Sequence, residues 1–123
     1  LRPNIHIKDM VRCYYSILNT SNNKKAGKIF NAGYQNQSLN KIAQIVKNCF
    51  NDNIEVETVS TDDNRSYHIS SEKIKNEIGF VTEFGIEDAV KDLINAFDKK
   101  LLVDPLNNSD YYNIKKMQEI NLK

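Results

Sequence analysis

Arginine is scarce in this chain, and it is the residue type best suited here to binding a ligand. Among the 17 Lys and Arg residues only Arg2, Arg12 and Arg65 are arginine. A guanidinium donates two parallel hydrogen bonds to a phosphate, which a lysine ammonium does not. Arg2 precedes a candidate strand, and Arg65 follows an acidic loop with Asp62 and Asp63. Each is able to bind phosphate; the alternatives are a surface arginine for Arg2 and a solvated ion pair for Arg65.

The polar residues around Arg2 favour structural roles. His6 alternates with Ile5 and Ile7, which predicts a short strand with both isoleucines turned inward. Asp9 stands where the N-cap of a following helix belongs. Asn31 ends another candidate strand just before a glycine, where its amide is able to face a ligand or to bond the backbone. We therefore keep Asn31 as a third candidate ligand contact and assign His6 and Asp9 to the fold.

The usual catalytic patterns are missing from this sequence. Two His and two Cys without close spacing do not predict a metal site. The four glycines form no Gly-x-Gly-x-x-Gly turn for a dinucleotide pyrophosphate. Tyr111 and Lys115, like Tyr112 and Lys116, have Tyr-x-x-x-Lys spacing. Such pairs are expected by chance in a chain this rich in Lys, so we assign them no catalytic role.

Two segments together resemble one enzyme family. The segment from Arg2 to Asp9 reads RPNIHIKD, and the segment from Asp63 to Ser70 reads DNRSYHIS and leads into a helix. Both resemble the C-terminal, substrate-binding region of extended short-chain dehydrogenase/reductases, the NAD-dependent nucleotide-sugar epimerases and dehydratases. The family motif Arg-x-x-Ile-His-Val-x-Asp differs from the first segment only at Ile7. The resemblance covers residues 1–113 and leaves 114–123 as a polar C-terminal tail.

This resemblance implies a fragment of a larger enzyme. Arg2 and Arg65 would clamp the diphosphate of a nucleotide sugar, and NAD(P) would be bound mainly by an absent N-terminal half. The catalytic residues would lie in that half, so the fragment alone is expected to be inactive and to bind no cofactor. The resemblance further implies a cytoplasmic homodimer as the full-length enzyme. In the fragment, a hydrophobic face is expected where the missing half would pack.

The sequence pattern predicts an α/β protein, an α+β-like fragment in which short strands alternate with amphipathic helices. In the resembling family this is the substrate-binding part of a Rossmann-type enzyme without its nucleotide-binding half. Helices are predicted over residues 10–19, 39–50, 71–78 and 86–97, and strands over 5–7, 28–33 and 54–58. Ser38 and Ser70 are the predicted N-caps, and Gly79 the predicted helix end. The first helix would carry an apolar face of Met10, Val11, Tyr14, Ile17 and Leu18.

Composition narrows the class of protein further. A chain of 123 residues is long enough for one domain, and a net charge of +1 argues against nucleic acid or an anionic membrane as a partner. No apolar run approaches the roughly 20 residues that span a bilayer. Cys13 and Cys49 fit reduced cysteines in helices packed on a core. Two alternatives stay open: a non-catalytic binding or regulatory module on the same fold, and an unrelated small α/β interaction domain.

Overall fold

The computed structural model describes residues 1–50, 54–60 and 66–122. In these ranges the chain forms six α-helices and two strands, which confirms a mixed α and β fold of the small α+β kind. The elements are β1 (Arg2–Asn4), α1 (Ile7–Asn19), α2 (Asn22–Lys25), β2 (Gln35–Gln37), α3 (Leu39–Asn48), α4 (Glu72–Ile78), α5 (Ile86–Asp98) and α6 (Asn113–Glu119), with a 3-10 turn at Ser109–Tyr111. The chain divides into two compact units, Leu1–Lys91 and Asp92–Lys123.

The sheet is a short antiparallel pair of β1 and β2 in the first unit. Arg2 lies opposite Gln37, and Asn4 lies opposite Gln35. The strands predicted over 5–7 and 28–33 are therefore wrong in position, and residues 54–60 form no strand. The sequence of β2 is polar and lacks the apolar alternation of a half-buried strand. It forms a strand because its backbone lies next to that of β1, which is distant in the sequence.

The start of α1 differs from the prediction. The helix begins at Ile7, and the N-cap is His6, whose Nδ1 accepts a hydrogen bond from the Lys8 amide at 3.1 Å. The predicted N-cap Asp9 is instead a fully buried residue of the first turn. Ile7 is also not turned inward, because it is 70% exposed while His6 is buried. The reason is tertiary: the Asp9 carboxylate is occupied by a distant turn, described below.

Helices α3 and α4 agree with their local signals. Ser38 is the N-cap of α3, with its Oγ accepting from the Lys41 amide at 3.2 Å. Gly79 ends α4 at a φ of 82°, a left-handed conformation that side chains with a Cβ rarely adopt. The N-cap of α4 is Ser71, one residue after the predicted Ser70. These caps confirm the predicted helices to within a few residues.

The core of the first unit lies between α1 and α4. Cys13, Ile74 and Phe80 are buried, and Ile17, Phe30, Ala32 and Ile78 pack against them. The prediction that Cys13 is a core residue is confirmed, and burial raises the pKa of its thiol. The opposite side of α1, which we call the α1 outer face, consists of Ile7, Val11, Tyr14, Tyr15 and Leu18. Each of these five residues is between 62% and 74% exposed to solvent.

The second unit contains the end of α5, the 3-10 turn and α6. The segment predicted as a polar tail forms helix α6, whose Lys116 pairs with Asp110 at 2.6 Å. Ser109 Oγ donates to a Glu119 carboxylate oxygen at 2.7 Å and so ties the turn to the helix end. Across the described ranges of both units, no helix has the length and hydrophobicity needed to cross a bilayer.

Candidate functional site

Arg2 lies on β1 beside the segment that follows Arg65 in the sequence. Its guanidinium carbon is 5.6 Å from the centre of the Tyr67 ring, a cation–π distance. The Tyr67 amide donates to the Leu1 carbonyl at 3.0 Å, so the chain at Tyr67 runs along the start of β1. Arg2 is half-buried, and its Nη1 donates to the Leu1 carbonyl at 3.1 Å. The described part of the second segment, which begins at Ser66, therefore meets the first segment in space.

Arg65 itself lies outside the described residues, as do Asp62 and Asp63 of the acidic loop before it. The described chain resumes at Ser66, directly after Arg65. The prediction of Arg65 as a ligand contact therefore stays a prediction. Arg2 and Tyr67 are the parts of the predicted site whose geometry the structure describes.

Asn31 is exposed in an irregular segment two residues before Gly33. Gly33 is buried, and a Cβ at this position would lie 2.6 Å from Ile69 Cδ1. Ser71 Oγ accepts from the Gly33 amide at 2.9 Å and donates to the Gly33 carbonyl at 3.0 Å. This close packing fixes the turn after Asn31. The predicted strand end at Asn31 is wrong, since the next strand begins only at Gln35.

Asp9 is the centre of a buried polar cluster. Its carboxylate accepts hydrogen bonds from the Glu83 amide at 3.0 and 3.1 Å and from the Phe84 amide at 2.9 Å. Arg12 pairs with Asp9 and also with the Glu83 carboxylate. The His6 ring stands 5.1 Å from the Phe84 ring, centre to centre. These contacts occupy the Asp9 carboxylate, so we assign it to holding the 83–84 turn against α1.

Residues beside β2 form a polar pocket that sequence reasoning missed. It has a volume of about 370 Å³ and is lined by Tyr34, Gln35, Gln37, Lys41, Glu87 and Asp88, among others. We call it the Tyr34 pocket. Its lining comes from three separated segments and follows no recognised motif, so the sequence carried no signal for it. Gln37 is also the residue paired with Arg2 across the sheet.

His68 lines a second, smaller cavity of about 240 Å³, together with Ser70, Ser71 and Glu72. The Ser71 hydroxyl is engaged with the Gly33 backbone, as described above. Asn36, also in the lining, binds the Ile69 amide and carbonyl with its side-chain amide, each at 2.9 Å. The side chains of Ser71 and Asn36 in this cavity therefore join the segments at Gly33 and Ile69.

The Tyr-x-x-x-Lys pairs of the second unit have other partners. Lys115 Nζ lies 4.4 Å from the centre of the Tyr112 ring. The Asp110 carboxylate hydrogen-bonds Lys116 and raises the pKa of its ammonium. Tyr112 donates its hydroxyl to the Leu106 carbonyl at 3.0 Å. In the described part of the chain, no group of three or more His, Cys, Asp or Glu side chains is arranged to hold a metal ion.

Comparison of the chain with protein-family models, with curated proteins and with solved structures finds no match in any of the three.

Proposed function

We propose that this chain is the substrate-binding part of an NAD(P)-dependent nucleotide-sugar epimerase or dehydratase of the extended short-chain dehydrogenase/reductase kind. In this proposal Arg2 and Arg65 bind the diphosphate, and Asn31 is an additional contact. We also propose that the fold is that of the substrate-binding part of a Rossmann-type enzyme. The resemblance of the segments around Arg2 and Arg65 motivates it.

The observation that carries the proposal is the contact between Arg2 and Tyr67. These residues are 65 positions apart in the sequence, yet the guanidinium lies 5.6 Å from the ring centre. A diphosphate spreads its charge over several oxygens, so it is bound best by planar donors that approach from different segments. The meeting of the two segments supports a joint site, because neither motif alone would surround a diphosphate.

The ring of Tyr67 gives Arg2 a defined direction. A guanidinium above an aromatic face is held by the ring quadrupole. Arg2 Nη1 donates a hydrogen bond to the Leu1 carbonyl at 3.1 Å, and this bond restricts the side chain further. A pre-oriented guanidinium loses less side-chain entropy when a ligand binds, and this favours affinity.

Catalysis belongs elsewhere in this proposal. The sugar would be oxidised by NAD(P) and then epimerised, dehydrated or reduced in a nucleotide-binding half that these 123 residues do not include. The chain by itself would neither bind NAD nor convert a nucleotide sugar. Its contribution is to hold the diphosphate, and with it the sugar, in position for that chemistry.

The α1 outer face supports a packing partner. Five large side chains on one helix face are each at least 62% exposed. Contiguous apolar surface of this kind marks interaction sites in soluble proteins. We propose that the nucleotide-binding half covers this face and that the complete enzyme is a homodimer. The same exposed face is the observation that favours an interaction module as the second candidate function.

The test measures nucleoside-diphosphate affinity in the natural polypeptide that carries this sequence. We expect Arg2→Ala and Arg65→Ala each to weaken binding roughly ten- to a hundredfold, since a charge-assisted hydrogen bond is worth about 1.5–3 kcal/mol. Arg2→Lys should recover only part of the loss, because lysine keeps the charge without the planar donor pair. Calorimetric titration gives the dissociation constants, and circular dichroism checks that each variant is folded.

Lys24→Ala is the matched control, because it removes one positive charge from an exposed position on α2. Its affinity should equal that of the wild type. Unchanged diphosphate affinity in folded Arg2→Ala and Arg65→Ala variants would contradict the proposal and leave the interaction module as the better interpretation. An equal loss in Lys24→Ala would show that net charge, rather than a built site, attracts the ligand.

A further inference from the structure

We propose that Asn36 is a positioning residue for the phosphate contact of Arg2, and that it acts through the backbone of Ile69 and the ring of Tyr67. Asn36 lies in the middle of β2, outside both segments that carry the family resemblance. This inference rests on the proposed function, in which Arg2 binds the diphosphate. It adds the group that keeps Arg2 oriented for that ligand.

The Asn36 side chain binds both backbone groups of one distant residue. Its Nδ2 donates to the Ile69 carbonyl and its Oδ1 accepts from the Ile69 amide, each at 2.9 Å. A strand residue exchanges the same two bonds with the residue opposite in an antiparallel ladder. A side-chain amide is able to replace that residue, because it carries a donor and an acceptor side by side. The half-buried Asn36 therefore fixes the backbone at Ile69.

The side chain of Ile69 is held as well. It packs against Gly33 so closely that a Cβ on Gly33 would lie 2.6 Å from Ile69 Cδ1. A residue larger than glycine would push Ile69 away, so the lack of a side chain at Gly33 permits this contact. Backbone and side chain of Ile69 are thus both fixed, two positions after Tyr67 in the chain.

Tyr67 connects this fixed point to Arg2. Its amide donates to the Leu1 carbonyl at 3.0 Å, and its ring centre lies 5.6 Å from the guanidinium carbon of Arg2. The Tyr67 side chain is 47% exposed, so packing around the ring holds it only in part. Its direction therefore depends on the backbone attachments on either side, at Leu1 and at Ile69.

Loss of the Asn36 amide should reach the ligand through this chain of contacts. The backbone at Ile69 would lose both bonds to β2, and the Tyr67 ring would no longer be held over Arg2. A guanidinium that is free to move must lose side-chain entropy when it binds phosphate, and this entropy loss lowers the affinity. Asn36 thus affects binding without touching the ligand.

The first measurement is the affinity for inorganic pyrophosphate of the natural polypeptide that carries this sequence. Asn36→Ala should weaken binding roughly two- to tenfold, the range for ordering one long side chain. Added to Arg2→Ala, it should cause no further loss, because it acts through Arg2; the losses from independent sites would multiply instead. Asn40→Ala is the matched control, since Asn40 is exposed on α3, and it should bind like the wild type.

The second measurement observes the Arg2 side chain directly, by nitrogen-15 NMR of the arginine Nε–H groups. Hydrogen exchange at Arg2 Nε should be faster in Asn36→Ala than in the wild type without any ligand, and the Arg2→Lys variant identifies the signal. Arg12 pairs with Asp9 and Glu83 and serves as the internal reference, because its exchange should not change. General loosening of the fold would speed exchange at both arginines.

Three results would overturn the positioning role. One is unchanged pyrophosphate affinity in a folded Asn36→Ala variant, with folding checked by circular dichroism. Another is a double variant in which the losses from Asn36→Ala and Arg2→Ala multiply. The third is an equal change in the signals of Arg2 and Arg12, which would mean that Asn36 only stabilises the fold.

The proposed function fails in a different way. If Arg2→Ala leaves pyrophosphate affinity unchanged, Arg2 is not a phosphate contact and the proposed function is wrong at this residue. The Arg2 signal in Asn36→Ala then decides by itself whether Asn36 orients Arg2. If Arg2→Ala weakens binding and Asn36→Ala does not, the diphosphate site stands and the positioning role is wrong.

Discussion

The two faces of α1 (Ile7–Asn19) differ in a way that hydrophobicity alone does not explain. The inner face contains a carboxylate, Asp9, and a thiol, Cys13, and both are buried. The outer face carries large apolar side chains such as Val11 and Leu18, and it is exposed. Asp9 is buried because two backbone amides of a distant turn and Arg12 satisfy its oxygens. In this molecule, specific partners decide which side of the helix faces the core.

Removal of the Asp9 carboxylate should have the largest effect. Asp9→Ala leaves the Glu83 and Phe84 amides without their acceptor and takes away the buried partner of Arg12. We expect a loss of about 2–5 kcal/mol in the free energy of unfolding, because buried groups that lose a charged partner retain their desolvation cost. Urea unfolding followed by circular dichroism measures it.

Asp9→Asn separates the charge from the geometry, since it keeps one acceptor oxygen and should lose less than Asp9→Ala. Glu55→Gln is the control for charge, because Glu55 is exposed. A loss in Asp9→Ala no larger than that in Glu55→Gln would show that the buried cluster does not hold α1.

The thiol of the inner face should react slowly. Burial raises the pKa of Cys13, so the thiolate is scarcer near pH 8 than for an ordinary cysteine. A raised thiol pKa means that the reactive form accumulates only as the pH rises above the usual range. We expect alkylation of Cys13 by iodoacetamide to be about tenfold or more slower than that of the half-buried Cys49.

Mass spectrometry of each modified cysteine from pH 7 to pH 10 follows the two rates. The difference should disappear in 6 M urea, where neither thiol is buried. Equal rates in the folded protein would show that the inner face opens readily, and the contrast between the two faces of α1 would then be weaker than the structure indicates.

Substitution on the outer face should have the smallest effect on stability. Leu18 is 74% exposed, so Leu18→Lys should change the free energy of unfolding of the chain by no more than about 0.5 kcal/mol. Ile17→Lys is the matched comparison. Ile17 packs against the core cluster, so the lysine would place a charge in the core and should lower the free energy of unfolding much more than Leu18→Lys does. Similar losses for the two variants would contradict the division of α1 into two faces.

The sequence predicted best the features that are set within a few residues. Ser38 and Gly79 mark helix ends because a side-chain oxygen caps a nearby amide and a glycine adopts positive φ, whatever surrounds them. The motif around Arg2 predicts this residue as a ligand contact, and that role stays a prediction. The Tyr34 pocket has no signal in the sequence, because its lining residues come together only when β2, α3 and the start of α5 are in place.

The strands and the roles of buried polar residues depended on tertiary contacts. β2 formed at Gln35–Gln37, after the apolar segment that had the better strand pattern, because its backbone pairs with β1. His6 became the N-cap and Asp9 the buried anchor because a turn more than 70 residues away presents two amides to the carboxylate. The start of α3 at Ser38 and the end of α4 at Gly79, which depend on groups within a few residues, were thus determined by the sequence alone. The burial of Asp9 and the exposure of Leu18 were decided only by tertiary structure, because each depends on groups that the local sequence does not contain.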